Sequence, residues 1–225
     1  AFQSASLSAI HSFFGVVSTL GFQSFEVFET EGRVEDQKLI FGDDFMICSA
    51  LPAPGDVDGD RNSDVSAWRP STGIWYTRPS DSPGSYTAKK WGLSTDLLTP
   101  ADYDGDGRTD ISVWRPSTGI WYTLPSASPG TYKAAQWGLP TDKPVPGDYD
   151  GDGTDDISVW RPSTGAWFVK PSNSPGSYVA TAWGSSGDIP VPGDYDGDRK
   201  TDRAFWRSAN GTWYILQTGI PGSYG

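Results

Sequence analysis

An Asp-x-Asp-Gly-Asp-x-x-x-Asp run occurs four times in this chain of 225 residues, each copy 46 residues after the one before. The copies are Asp56, Asp58, Asp60 and Asp64; Asp102, Asp104, Asp106 and Asp110; Asp148, Asp150, Asp152 and Asp156; and Asp194, Asp196, Asp198 and Asp202. Four carboxylates within nine residues repel one another unless a cation neutralises them. Calcium, a hard ion that accepts about 6 to 8 oxygens with tolerant geometry, suits such a loop. The spacing predicts that the carboxylates at positions 1, 3, 5 and 9 turn inward and that position 7 offers its backbone carbonyl. Position 7 is Asn62, Arg108, Thr154 and Lys200, four dissimilar side chains, as a backbone role requires. Gly at position 4 (Gly59, Gly105, Gly151, Gly197) allows the tight curl. The loop is not an EF-hand, which needs Gly at position 6 and Glu at position 12; here position 12 is Ala67, Val113, Val159 and Phe205, so a strand is expected to leave the loop. Ordinary Asx turns would also use Asp and Gly, but they do not require four carboxylates in every copy.

The charge balance agrees. Sixteen of the 28 acidic residues lie in these loops, so four divalent cations would bring the formal net charge of -11 to -3. The acidity is mostly ligand charge, and with 17 Lys and Arg in no basic cluster, nucleic acid is not an expected partner.

A fixed period of this length points to a repeat architecture. Within one period Ile111-Ser-Val-Trp114, Ile120-Trp-Tyr-Thr-Leu124 and Tyr132-Lys-Ala-Ala-Gln-Trp137 read as strands separated by Pro-Ser-Thr-Gly and Ser-Pro-Gly turns, and Val145-Pro-Gly-Asp148 reads as a short strand before a loop. Four strands per repeat make one blade, so the expected fold is all-β, a four-bladed β-propeller spanning residues 37–225 with a calcium loop in each blade. All 11 tryptophans fall at three recurring positions. The fourth repeat ends before its last strand, and Lys38-Leu-Ile-Phe41-Gly42 aligns with Lys89-Lys90-Trp91-Gly92 as the piece that would complete it, closing a ring in cis or joining molecules in trans.

The Asp loops, each preceded by an aromatic-Gly pair, resemble the FG-GAP or VCBS-type repeats of integrin α-subunit-like β-propellers. The resemblance covers about residues 37–225. It implies calcium in each blade, an extracellular or cell-surface setting, and an adhesion, glycan-binding or structural role in place of catalysis. This chain departs from the family in its shorter repeats and fewer blades, and in carrying Arg61 and Arg199 at position 6 where the other two loops have Gly107 and Gly153.

Catalysis is not expected. His11 is the only histidine and Cys48 the only cysteine, so no Ser-His-Asp or Cys-His arrangement is available in the repeats. Glu26, Glu29, Glu31 and Glu35 are the complete set of glutamates, and non-loop aspartates such as Asp155 and Asp188 show no pairing pattern. The Trp-Arg-Pro-Ser motif (Trp68–Ser71, Trp114–Ser117, Trp160–Ser163) supports two readings: Trp and Arg stacking on sugars, as in a multivalent lectin, or Trp packing between blades with Arg paired to an Asp of the loops or stacked on an aromatic ring. The fourth copy, Trp206-Arg207-Ser208-Ala209, keeps only Trp and Arg, which fits packing better.

Residues 1–36 form a separate, Ser-rich, apolar arm with no charged side chain before Glu26. It lacks the basic start and unbroken apolar run of a signal peptide or membrane span. Phe13-Phe14-Gly-Val-Val-Ser-Thr-Leu and Phe25-Glu-Val-Phe-Glu-Thr read as strands, either donated to a neighbouring subunit to form a homo-oligomer or polymer, or packed on the chain's own propeller. Asn210-Gly-Thr212 is an N-glycosylation sequon. The expected function is a non-enzymatic adhesion or structural module, a fibre subunit in its sharpest form, with a multivalent glycan-binding lectin as the alternative.

Overall fold

The computed structural model describes residues 55–82 and 84–219. The N-terminal arm, the segment around Phe41, Cys48 and the chain beyond Gly219 lie outside the described residues, and with them the expectations attached to those positions. The described residues form 14 strands in four antiparallel sheets and no helix. The first sheet holds β1 (Val65–Arg69), β2 (Ile74–Arg78) and β3 (Thr87–Lys90). The second runs β4 (Leu97–Leu98), β5 (Ile111–Arg115), β6 (Ile120–Leu124) and β7 (Lys133–Gln136) in chain order. The third repeats that order with β8 (Lys143–Pro144), β9 (Ile157–Arg161), β10 (Ala166–Lys170) and β11 (Val179–Ala182). The fourth holds β12 (Ile189–Pro190), β13 (Arg203–Arg207) and β14 (Thr212–Leu216). In sheets two to four the Asp loop joins the first short strand to the second, and in sheet one it leads into β1.

Three of the four expected strands per repeat fall where the alternation places them. The short strand before the loop is displaced: the ladder forms at Lys143–Pro144 and not across Val145 to Asp148. Pro146 has no N–H to give, so pairing continues only through Val145, whose N–H donates to the Ser158 carbonyl at 2.9 Å, and through an isolated bridge between Gly147 and Asp156.

Register explains the tryptophan periodicity. Trp68 pairs across the hairpin with Trp75, Trp114 with Trp121, and Trp160 with Trp167. In the first two sheets both indole N–H groups of the pair converge on one carbonyl: Trp68 and Trp75 on Trp91 at 3.2 and 3.1 Å, Trp114 and Trp121 on Trp137 at 3.0 and 3.1 Å. The third strand position therefore satisfies the polar ends of two buried rings, which would otherwise cost free energy in an apolar setting. These pairs then pack against the following sheet: Val113 joins Trp68 and Trp75, and Val159 joins Trp114 and Trp121. The sheets stack in sequence with apolar layers between them.

The arginine after each first tryptophan is committed to structure. Arg115 forms a two-point ion pair with Asp96 at 2.8 and 2.9 Å, and Arg161 and Arg207 do the same with Asp142 and Asp188. Their guanidinium carbons lie 4.5 Å from the Tyr122 ring centre, 4.2 Å from Phe168 and 4.6 Å from Tyr214. The packing reading of Trp-Arg-Pro-Ser thus describes the geometry, with one refinement: the partner is a turn aspartate outside the Asp loops. The first repeat has Ala50 where the others have this aspartate. Arg69 accordingly makes no ion pair among the described residues; it lies 5.2 Å from the Tyr76 ring centre, touches its hydroxyl at 3.5 Å and is exposed.

Because Asp142 is buried, removing its partner leaves an unpaired charge, so Arg161→Ala is expected to cost about 3 kcal/mol of unfolding free energy. Arg69→Ala is expected to cost under about 1 kcal/mol. Denaturant unfolding of both variants checks this, and equal costs would overturn the assignment.

Candidate metal centres

Each loop is wound around its first aspartate. Asp56 accepts the Gly59 N–H on Oδ1 at 2.6 Å and the Arg61 N–H on Oδ2 at 2.8 Å. Asp102, Asp148 and Asp194 repeat this with the amides of positions 4 and 6 at 2.6 to 2.9 Å. That grip forces position 6 into the left-handed region, where Gly107 and Gly153 have φ of 83° and 87° and Arg61 and Arg199 have 71° and 69°. The two arginine loops therefore keep the geometry of the glycine loops, at a conformational cost of roughly 1 kcal/mol each.

Carboxylates from positions 1, 3 and 9 come together in every loop. The sets are Asp56, Asp58 and Asp64; Asp102, Asp104 and Asp110; Asp148, Asp150 and Asp156; and Asp194, Asp196 and Asp202, with one oxygen of each member within 4.8 Å of the others. Positions 5 and 7 bond to each other in every loop. The position 5 carboxylates accept the position 7 amides of Asn62, Arg108, Thr154 and Lys200 on Oδ1 at 2.7 to 2.9 Å. Their other oxygens accept hydroxyls: Asp60 from Ser80 at 2.6 Å, Asp106 from Ser126 at 2.9 Å, Asp152 from Ser172 at 2.7 Å and Asp198 from Thr218 at 2.9 Å. Asp60 also joins Asp58 and Asp81 in a second, more exposed group. The position 7 side chains are not idle either, since Arg108, Thr154 and Lys200 each lie over the position 4 glycine of the preceding loop.

Residues that the motif does not contain complete the loops. The amides of Ser80, Ser126, Ser172 and Thr218 donate to the position 9 carboxylates at 2.6 to 2.8 Å, so one residue clamps both the position 5 and the position 9 carboxylate of its loop. Their recurrence 16 residues after position 9 was the available signal. Position 8 links the loops. The Thr109 N–H donates to the Asp56 carbonyl at 2.6 Å, Asp155 to Asp102 at 2.7 Å and Thr201 to Asp148 at 2.6 Å.

The donor set fits a hard divalent cation. Asp104 Oδ1 and Asp150 Oδ2 are buried and have no hydrogen-bond partner, which leaves bare carboxylate oxygens inside two of the clusters. Burial, reinforced by the neighbouring position 3 carboxylate, raises Asp110 to about 6 and Asp156 to about 7. Burial also raises Asp58, Asp102 and Asp150, and lifts Asp155 to about 6. Asp60 moves the other way, lowered by the Ser80 hydroxyl. The triads hold more negative charge than the protein itself compensates.

Residues 102–159 match the family model described as FG-GAP-like repeat, a stretch that contains the second loop, the second sheet's hairpin and the third loop. No curated protein and no solved structure matches the chain.

Carboxyl groups whose folded-state pKa lies above the unfolded value favour folding while protonated and lose that contribution as pH rises through the folded pKa. In excess chelator the protein is therefore expected to become less stable between pH 4 and pH 7, with Asp110 and Asp156 as the main contributors. Denaturant midpoints across that range test this. A midpoint that climbs steadily to pH 7 would show that the triads are not crowded.

Proposed function

We propose that this chain is a calcium-stabilised, extracellular β-propeller-type module with a non-enzymatic adhesion or structural role, able to serve as a unit of a surface fibre. One observation carries the reading: four equivalent carboxylate triads, two with bare buried oxygens, recur in loops that are hydrogen-bonded one to the next. Each sheet is read as a blade, and calcium as the resident ion of each loop. The residues that would hold it are the aspartates of positions 1, 3 and 9, with positions 5 and 7 shaping the loop. Bound calcium supplies positive charge where the chain provides none, and so favours the folded array. The match to an FG-GAP-like repeat supports this, because such repeats serve structure and adhesion and often bind calcium. An extracellular setting is part of the reading, since calcium there reaches concentrations that even weak sites can use. No helix among the described residues is long and apolar enough to cross a membrane.

The glycan reading has a specific basis, though different residues carry it. The tryptophans of Trp-Arg-Pro-Ser are buried in the first three repeats and cannot stack on sugars. Exposed tyrosines recur instead, one per repeat: Tyr86, Tyr132 and Tyr178, the latter two with ring centres 5.9 Å from Trp91 and 5.6 Å from Trp137. Glycan-array binding abolished by Tyr132→Ala with Tyr178→Ala would favour this alternative.

Titration calorimetry is expected to show calcium binding at four sites per chain and at three in Asp150→Ala. Saturating calcium is expected to raise the unfolding free energy by about 2.7 kcal/mol per site at a hundredfold excess over Kd. A chain that neither binds calcium nor gains stability from it would end the proposal.

A further inference from the structure

The fourth sheet differs from the other three at one edge. In sheets one to three, a strand ending in Trp-Gly lies along the second strand of the hairpin. The Trp N–H donates to the carbonyl of the turn glycine: Trp91 to Gly73 and Trp137 to Gly119 at 2.7 Å, and Trp183 to Gly165 at 2.9 Å. The following glycine then sits so close that a Cβ added to Gly73, Gly119 or Gly165 would fall 2.6, 2.6 or 2.1 Å from its carbonyl oxygen. At Gly211, the equivalent turn residue in sheet four, an added Cβ meets nothing within 4 Å among the described residues. Trp213 is uncovered in the same way. It is 47% accessible, whereas Trp75, Trp121 and Trp167 are 5%, 1% and 0% accessible.

The neighbouring face is open as well. Position 8 of each following loop donates to the preceding position 1 carbonyl at three junctions, but among the described residues Ser63, the position 8 residue of the first loop, makes no such bond to Asp194. Among the described residues nothing lies within 4 Å of a Cβ at Gly197, where the other position 4 glycines are covered by the next loop. Tyr195 is 42% accessible, and its counterpart Tyr149, covered by the following sheet, is 7% accessible. Thus the described array ends at one side in an uncovered loop and edge strand, and at the other in Ser63 and Val65, whose counterparts in later repeats supply that cover.

We propose that β14, with Gly211 and Trp213, is a docking site for residues 38–42 of a second copy of this chain, so that molecules join head to tail. The occupant is set by the repeat. Lys38-Leu-Ile-Phe41-Gly42 carries the aromatic-Gly pair that fills the other three edges. In those edges the aromatic residue also reaches the following sheet, as Trp91 does through its indole N–H to the Tyr122 carbonyl at 3.0 Å and Trp137 to Phe168 at 3.1 Å. A strand placed on sheet four by the segment preceding sheet one therefore brings sheet one with it. Among the described residues of one chain these two ends do not meet, since Ser63 makes no bond to the Asp194 carbonyl, and a neighbour's strand is the occupant proposed. Such a contact is heterologous and propagates into a filament unless it closes. The inference deepens the structural role proposed above, and stands independently of calcium.

Light scattering on the full chain is expected to show mass rising with concentration. Phe41→Asp, which puts a charge at the docked ring, and Gly211→Asn, which tolerates the left-handed backbone but adds the blocking Cβ, are each expected to abolish the high-mass species. A synthetic peptide of residues 37–43 is expected to dissolve assemblies of the unaltered protein, which keeps the test independent of variant folding. In the assembled state, hydrogen exchange of residues 212–216 should slow, and the peptide should not reverse that protection because it occupies the same edge. A chain that stays monomeric at every concentration, including one whose 212–216 amides are already protected by its own segment, would overturn the proposal; so would assembly that both variants and the peptide leave intact. Calcium titration of the same samples separates this outcome from failure of the calcium reading.

Discussion

The first aspartate of each of the first three loops does two things with different atoms, and the architecture depends on both. Its carboxylate gathers the amides of positions 4 and 6 and fixes the curl, while its backbone carbonyl accepts the position 8 N–H of the next loop. The carboxylate cluster and the joint between sheets are therefore built from the same nine residues. Disturbing the charge balance in one loop must strain the contact to the next, because the group that organises the cluster is also the anchor of the joint. This coupling gives a reason for the loop and the 46-residue period to travel together: neither the cluster nor the stack can be moved without the other.

A second constraint comes from the paired indoles. Two large rings facing each other across a hairpin bury well, but each carries an N–H that needs an acceptor. The aromatic-Gly strand supplies one carbonyl for both in sheets one and two, and its glycine carbonyl lies so close to the turn glycine that the turn position has no room for a side chain. The same strand sends its own indole to the next sheet. Sheet closure and sheet stacking thus share one dipeptide, much as cluster and joint share one aspartate.

Much of this was legible in the sequence because it is periodic. The fixed step located the loops, the alternation located the hairpins, and the recurrence of Trp-Arg without Pro-Ser in the fourth copy pointed to packing. What was not legible depends on contacts between residues that no local pattern connects. The serine clamp on positions 5 and 9 acts across 16 to 20 residues, and the position 8 link acts across 53. The bond from the position 7 amide to the position 5 carboxylate, and the clamp on that carboxylate, likewise have no signature in the motif itself. Arg61 and Arg199 stand where the other two loops have glycine, yet the pull of the first carboxylate on the position 6 amide holds them in the glycine conformation.

The irregular copies act as internal controls on these assignments. Where Ala50 stands in place of the turn aspartate, Arg69 has no ion pair among the described residues and is exposed while Trp68 beside it stays buried, so the arginine's place follows its acid and the tryptophan's follows the sheet. Where no aromatic-Gly strand lies along the described edge, Trp213 is exposed although Phe205 on the adjoining strand remains at 3% accessibility. Burial at each recurring position is thus set by the immediate neighbour and not by the identity of the residue. A repeat protein of this kind carries unsatisfied surfaces only at its two ends, and those surfaces have the shape of the next repeat.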